Sequence, residues 1–330
     1  MIVPEVNAIQ EIAVPPSLLE FIRRGSKFLL AGHKEPDGDC VGSQLALASV
    51  LQRMGKTAVL CSAGPFKRTE IKSYAPLFIP QPGDAERNGA RLIILDCSCR
   101  ERTGDLAPFV EGLPTAVIDH HATSDRSVPL LYLNPEAPST TFLVLDLIEA
   151  LGLSPTAEEA ELLFFGLATD TGFFRHVDQG GAETFRCASR LISAGASPKK
   201  VFQAINGGKS LDSRILMGKV LSAARSFFGG KLLLSTESLE DTKRFGLEGR
   251  DSDNLYQLLQ SVAGMEAIVI IRQESPENCT VGFRSRDAVD VGAIAAGFGG
   301  GGHKNAAGLS IAGTIAEIEP KILEAFRNVL

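Results

Sequence analysis

Tryptophan is absent from this chain and tyrosine occurs only three times, so a surface that stacks successive nucleobases would have to be built from phenylalanine. The six cysteines (Cys40, Cys61, Cys97, Cys99, Cys187 and Cys279) include no C-x-x-C pair and are too sparse in 330 residues for a disulfide framework. They read as reduced thiols. No run of about 18 apolar residues occurs, and the stretch Met1 to Pro16 lacks a basic segment followed by an apolar block. Neither membrane spanning nor export is expected, and the default compartment is the cytoplasm. Basic charge is also scarce. With 33 Lys and Arg against 39 Asp and Glu, the net charge of -6 disfavours a protein that holds long duplex DNA mainly by neutralising phosphates. Small anions at a local site stay within reach.

What is present is a globular composition, 44% hydrophobic and 22% charged, in a chain longer than one ordinary domain of roughly 100 to 200 residues. The first two hundred residues alternate short apolar runs with helical patterns, which predicts an α/β fold with a mostly parallel, doubly wound sheet. The expected strands are Lys27 to Ala31, Thr57 to Cys61, Arg91 to Leu95 and Thr115 to Ile118. Apolar spacing at Val41, Leu45, Ala48 and Leu51 predicts a helix with Asp39 as its N-cap and Gly55 as its stop. A second helix is expected over Thr141 to Leu151, and a third from Ser154-Pro155. Residues 1–195 are read as one domain, 196–218 as a connection without a clear strand, and 219–330 as a smaller mixed α/β domain. Its expected strands are Lys231 to Ser235, Ala267 to Arg272 and Thr280 to Phe283, and its helices Asp253 to Ala263 and Ile315 to Val329. No internal repeat of fixed period is visible.

Four of the five histidines sit in short segments rich in Asp or Gly, where chance would scatter them. His33, Asp37 and Asp39 follow the first strand on one tight turn. Asp96 ends the third strand, and Asp119-His120-His121 ends the fourth. Groups outside the carboxyl ends of neighbouring strands in an open α/β sheet converge on one crevice. Asp170 supplies a further carboxylate after a helix. His33, Asp37, Asp39, Asp96, His120 and Asp170 are two imidazoles and four carboxylates without a thiolate, a set suited to two divalent cations; Mn²⁺ fits best, and Mg²⁺ is the harder alternative. Four carboxylates balance two such ions, and a pair about 3.5 to 4 Å apart can hold a bridging hydroxide for attack at phosphorus. Each piece alone also reads as ordinary structure: a turn with a cap, a solvated pair, a strand end, a helix stop. Their joint order and spacing favours the metal-dependent hydrolysis of a phosphate ester.

In the C-terminal half, Gly297 to Gly308 includes Gly300-Gly301-Gly302-His303-Lys304 but no G-K-[ST], which excludes a Walker A loop. Successive glycines let amides approach an anion, and His303 adds a donor. Arg284 offers a fork for phosphate, with Arg286 as the second choice.

With these motifs in place, the sequence resembles the DHH family of phosphoesterases over most of its length. The triplet is Asp119-His120-His121, the first motif His33-x-x-x-Asp37-x-Asp39, the second Asp96 and the fourth Asp170, while Gly300-Gly301-Gly302-His303 resembles the substrate motif of a DHH-associated C-terminal domain. The resemblance implies one metal on His33, Asp37 and Asp96 and another on Asp39, Asp96, His120 and Asp170, with Asp96 bridging. His121 would face substrate phosphate, with Asp119 supporting the site. Arg284, the glycine loop and His303 would grip the phosphate or terminal nucleotide, across a cleft between domains. Stand-alone members most similar to this chain are the nanoRNase/pAp phosphatases, which implies degradation of very short RNA and removal of the 3′-phosphate of 3′-phosphoadenosine 5′-phosphate. Expected partners are short RNA oligonucleotides and small phosphorylated nucleotides, with a homodimer left open, no membrane and no long duplex DNA. The alternatives are a soluble cyclic or linear dinucleotide phosphodiesterase, a RecJ-like single-strand exonuclease and, in a different class, an inactive nucleotide-binding regulator. Cys40 departs from the small apolar residue usual in the family, and His176, without a family counterpart, reads as structural.

Overall fold

The computed structural model describes residues 13–122, 128, 130–286, 288–327, 329 and 330; residues 1–12, most of the stretch read for an export signal, lie outside the described residues. The chain divides into two units, residues 1–208 and 209–330. No helix among the described residues is long and apolar enough to cross a membrane.

The first unit is built on a five-stranded parallel sheet of β1 (Lys27–Ala31), β2 (Thr57–Cys61), β3 (Arg91–Leu95), β4 (Thr115–Asp119) and β5 (Leu131–Leu133), in the order β2-β1-β3-β4-β5. The four expected strands are where their apolar runs put them. β1, β3 and β4 are buried at four of five positions, which is why they read as continuous apolar runs rather than alternating ones. The helices are α1 (Pro16–Arg24), α2 (Gly38–Arg53), α3 (Asp84–Arg87, one turn), α4 (Thr140–Ala150), α5 (Ala157–Asp170), α6 (Ala182–Ser193) and α7 (Pro198–Asn206). One face of the sheet packs Phe28, Leu30, Ile93, Leu95 and Ile118 under α1, α2, α4 and α5. The other packs Leu29, Leu92, Ile94 and Val117 against Leu106 and Val110, which lie in 3-10 turns over Arg100–Val110.

Helix α2 is buried on most of its circumference because α5 crosses it closely. A Cβ at Gly42 would lie 2.7 Å from the Leu162 carbonyl oxygen, and one at Gly166 would lie 2.4 Å from the Thr141 side chain, so these crossings require glycine. Away from the site, the fully buried Glu159 braces the same helices, accepting from Ser49 Oγ at 2.7 Å and from Arg53 Nε at 2.9 Å.

Two helix starts differ from the sequence reading. Asp37, not Asp39, caps α2, its Oδ1 accepting from the backbone N–H groups of Asp39 and Cys40 at 3.1 Å. Either aspartate can cap, but Asp39 is turned inward. Helix α5 starts after Thr156 rather than at Ser154-Pro155, because Thr156 and Glu159 form a reciprocal capping box.

The second unit holds a six-stranded mixed sheet, in the order β10-β11-β9-β8-β7-β6, of β6 (Arg225–Phe227), β7 (Leu232–Glu237), β8 (Ala267–Ser275), β9 (Asn278–Ser285), β10 (Gly301–His303) and β11 (Ala306–Ala312). Its helices are α8 (Leu211–Ser222), α9 (Leu239–Phe245), α10 (Ser252–Gln260), α11 (Val291–Gly297) and α12 (Ile315–Arg327). Among the described residues of this sheet, β7 and β8 are the one parallel pair. Helices α11 and α12 cover one face of this sheet, and α8 and α10 the other. The segment 196–218 is largely helical, occupied by α7 and the start of α8.

Candidate metal centre

The strand order β2-β1-β3-β4-β5 reverses between β1 and β3, and the carboxyl ends of strands at such a reversal leave a crevice. His33 follows β1 and Asp96 follows β3, so both stand at its mouth, with His33 Nε2 3.4 Å from Asp96 Oδ2 and 3.8 Å from Asp37 Oδ1. Asp96 is 2% exposed and adopts a left-handed backbone, φ 63°, directly after its strand. Non-glycine residues pay for this conformation, and such strain gathers where a side chain must be aimed. On the far side of Asp96, His120 Nε2 lies 3.7 Å from Asp96 Oδ1, 4.0 Å from Asp39 Oδ2 and 3.3 Å from Asp170 Oδ2. Asp96 thus stands between two groups of donors.

The orientation of these side chains is fixed from outside. His33 Nδ1 is 2.9 Å from the Lys34 carbonyl oxygen and His120 Nδ1 is 3.1 Å from that of Ala137. Those carbonyls can only accept, so both imidazoles carry a proton on Nδ1 and turn Nε2 toward the carboxylates, the atom that offers a lone pair to a cation once the ring is neutral. Asp39 accepts from the first backbone N–H groups of α4, Thr140 and Thr141, at 2.6 and 2.9 Å, and a helix N-terminus favours that negative charge. Asp119, fully buried at the end of β4, accepts from His121 Nδ1 at 2.8 Å and leaves the half-exposed imidazole at the rim.

Without cations the cluster is electrostatically crowded. Burial, followed by the charge of Asp39, pushes the Asp96 carboxyl well above its usual range. Asp39 is raised by burial, and Asp170 is raised to about 7 by burial and by Asp39. Burial opposes a charge on His33, yet its hydrogen bonds to Asp37 and Asp96 prevail and raise it to about 10; burial likewise opposes the Asp37 charge, and His33 brings that group down to about 2. Protons and an imidazolium stand in for positive charge. Two divalent ions would supply it instead, and the oxygen and nitrogen donors suit them.

Among the described residues, three groups have ligand atoms within 4.8 Å of one another: Asp39, His120 and Asp170; Asp96, His120 and His121; and His33, Cys40 and Asp96. Cys40 beside the first two donors was not foreseen as a ligand. Its thiol is fully buried, points at Gln44 Oε1 at 3.5 Å and is pushed far up by burial, so it stays protonated. Thr140, Thr141 and the carbonyls of Lys34 and Ala137 were also missed; a Ser139-Thr140-Thr141 run opening an apolar helix was the available signal. His176 stands in the turn after α5 with its ring against Gly172, where a Cβ would lie 2.5 Å from it.

The remaining candidates belong to the second unit. Arg284 on β9 is opposite Ala306 on β11, which is opposite His303 on β10. Directly opposed residues share a face, so Arg284 and His303 project from the same side, about 10 Å apart by strand spacing. The glycine segment is not the loop expected: Gly301–His303 forms an edge strand. A Cβ at Gly300 would lie 2.4 Å from Leu309 Cβ, while Gly301 has open space. Arg286 is engaged with the Gln260 carbonyl at 3.0 Å.

A model of the DHH family N-terminal domain matches residues 27–167, and a DHHA1 domain model matches residues 229–330. The bifunctional oligoribonuclease and PAP phosphatase NrnA of Thermus thermophilus is 35% identical over 303 residues, covering 91% of this chain and 89% of that protein. The chain belongs to the DHH family. A second such relative, NrnA of Bacillus subtilis, is 27% identical across 89% of this chain and 92% of its own. The fold is shared with an exopolyphosphatase-related protein from Bacteroides fragilis, at a TM-score of 0.75 and 23% identity, covering 94% of this chain and 96% of that one. As a DHH phosphoesterase the chain is a metal-dependent hydrolase, and enzymes of this family use divalent metals.

Proposed function

We propose that this DHH enzyme hydrolyses very short oligoribonucleotides to mononucleotides and removes the 3′-phosphate of 3′-phosphoadenosine 5′-phosphate, with two divalent ions, Mn²⁺ by preference. The observation that carries the reading is the grouping of His33, Asp37, Asp39, Asp96, His120 and Asp170 around the buried Asp96 carboxylate. His33, Asp37 and Asp96 are assigned to one ion and Asp39, Asp96, His120 and Asp170 to the other. When bound, such ions supply an acidified water and positive charge for the phosphoryl oxygens. His121, steadied by Asp119, meets the substrate phosphate, and the hydrogen bond to Asp119 raises its proton affinity so that it can donate there. In the second unit, Arg284, His303 and the Gly300 to Gly302 backbone hold a phosphate or the terminal nucleotide.

Two facts support the substrate class. Thermus thermophilus NrnA, whose name carries both activities, aligns with nearly the whole chain. A net charge of -6 also suits substrates with few phosphates better than a long polyanion. Six free cysteines support a reducing compartment, the cytoplasm. The test is a panel at equal concentrations with Mn²⁺: dinucleotides, five-residue RNAs, cyclic dinucleotides and 3′-phosphoadenosine 5′-phosphate. Mononucleotides from the first two and phosphate from the last are expected. Preference for cyclic dinucleotides would move the assignment to that class, and no turnover of any would favour a binding protein.

A further inference from the structure

Three arginines line one face of the second unit's sheet, and two of them are already neutralised. Arg250 pairs with Glu237 at 2.6 Å and Glu274 at 2.9 Å, and Arg272 with Glu237 at 3.2 Å. Arg284 has no carboxylate partner among the described residues. Its guanidinium carbon instead lies 4.5 Å from the ring centroid of Tyr256, and Nη1 donates to the Phe283 carbonyl at 2.9 Å. No hydrogen bond from Nε or Nη2 occurs among the described residues, which leaves the planar edge that pairs with two phosphate oxygens.

Tyr256, on α10, is 4% exposed, and its hydroxyl is buried without a hydrogen bond of good geometry. The hydroxyl has the Arg272 side chain beside it but no well-formed hydrogen bond, so what Tyr256 offers Arg284 is the face of its ring. The hydroxyl end of the ring lies over Gly282, two residues before Arg284 on the same face of β9; a Cβ at Gly282 would stand 2.2 Å from the hydroxyl oxygen and 3.4 Å from the ring carbon that bears it. Glycine makes room for the ring, and the ring forms a floor for the guanidinium.

We infer that Tyr256 is a positioning residue for Arg284, holding the guanidinium flat so that its Nε and Nη2 edge meets a substrate phosphate. This rests on the proposed role of Arg284. The experiment measures kcat and KM for 3′-phosphoadenosine 5′-phosphate with Mn²⁺ in the full chain and in Tyr256→Leu, Tyr256→Phe, Arg284→Ala and the Tyr256→Leu/Arg284→Ala pair. Tyr256→Leu is expected to raise KM about three- to tenfold with little change in kcat, and Tyr256→Phe, which keeps the ring, to restore KM. In the Arg284→Ala background, Tyr256→Leu adds no further rise. Should Tyr256→Leu fail to fold, Gly282→Ala displaces the ring with both partners intact and is expected to raise KM likewise. An unchanged KM in the folded ring variant, or an equal added rise in the Arg284→Ala background, overturns this inference alone. An unchanged KM in Arg284→Ala overturns the proposed role of Arg284 with it, and no turnover by the parent enzyme overturns the proposed function.

Discussion

The hydroxyl of Thr140 donates to Oδ1 of Asp96 at 3.0 Å, joining the first turn of helix α4 to the carboxylate on which both donor groups converge. The same residue's backbone N–H holds Asp39 at 2.6 Å, so one threonine orients two proposed ligands. Thr140→Val keeps the shape and the amide but removes the hydroxyl. Activity and Mn²⁺ affinity are expected to fall about 10- to 100-fold, the usual loss when a partner of a metal ligand is removed. Steady-state rates across an Mn²⁺ titration check this, and an unchanged titration curve would refute it.

Asp96→Ala is expected to abolish turnover at every Mn²⁺ concentration and to lower metal content below two ions per chain by elemental analysis. Asp96→Asn separates function from stability. Because burial and Asp39 disfavour the Asp96 charge, the metal-free Asn variant should melt above the metal-free parent at pH 8 although it is inactive. A lower melting point would contradict the crowding described above.

Metal affinity should rise with pH. His33 keeps its proton up to about pH 10 in the metal-free protein, and Asp170 keeps one up to about 7. Each must leave when its ion binds, along with any proton held by Asp39 or Asp96, so log affinity for the pair of ions should climb by at least about two per pH unit below 7 and by at least about one above it. The same shifts set stability. Each folded pKa lies above its unfolded value, so each stabilising contribution is complete below that unfolded value and is lost as pH rises through the folded one. For Asp170 that window runs from 3.8 to about 7, and for His33 from 6.5 to about 10. The melting temperature gained from Mn²⁺ should therefore be larger at pH 8.5 than at pH 6, which scanning calorimetry resolves.

Gly166→Ala tests the helix crossing. The added methyl would fall 2.4 Å from the Thr141 side chain and 2.9 Å from Asp39 Oδ1, so α5 must move away from α2 and α4. A loss of about 1 to 3 kcal/mol is expected from such overpacking, with Mn²⁺ affinity falling alongside it because Asp170 rides on α5. Destabilisation with unaltered Mn²⁺ affinity would show that the crossing does not set the ligand geometry.

The centre was largely legible because its groups come in short motifs at the ends of parallel strands, whose continuous apolar runs mark them plainly. His33, Asp96 and His120 could be placed in this way. The cap of α2 was not, since Asp37 and Asp39 are the same residue type, and only tertiary contact with α4 decides which one turns inward. Edge strands β5, β6 and β10 span three residues each, too few for a period to register. The glycine run hid a strand because its partner β11 supplies the pairing. Nothing in the sequence tied Tyr256 to Arg284, which are joined only by α10 packing onto β9.

Glu159 has a consequence for how the ions are received. It clamps α2 to α5 through Ser49 and Arg53 at the pole of the helix pair remote from the carboxylates. The two rods are thus pinned like the hinge end of tweezers. Their tips carry Asp39 and Asp170, so the spacing of the jaw that would grip a cation is governed in part by contacts at the opposite end of the helix pair.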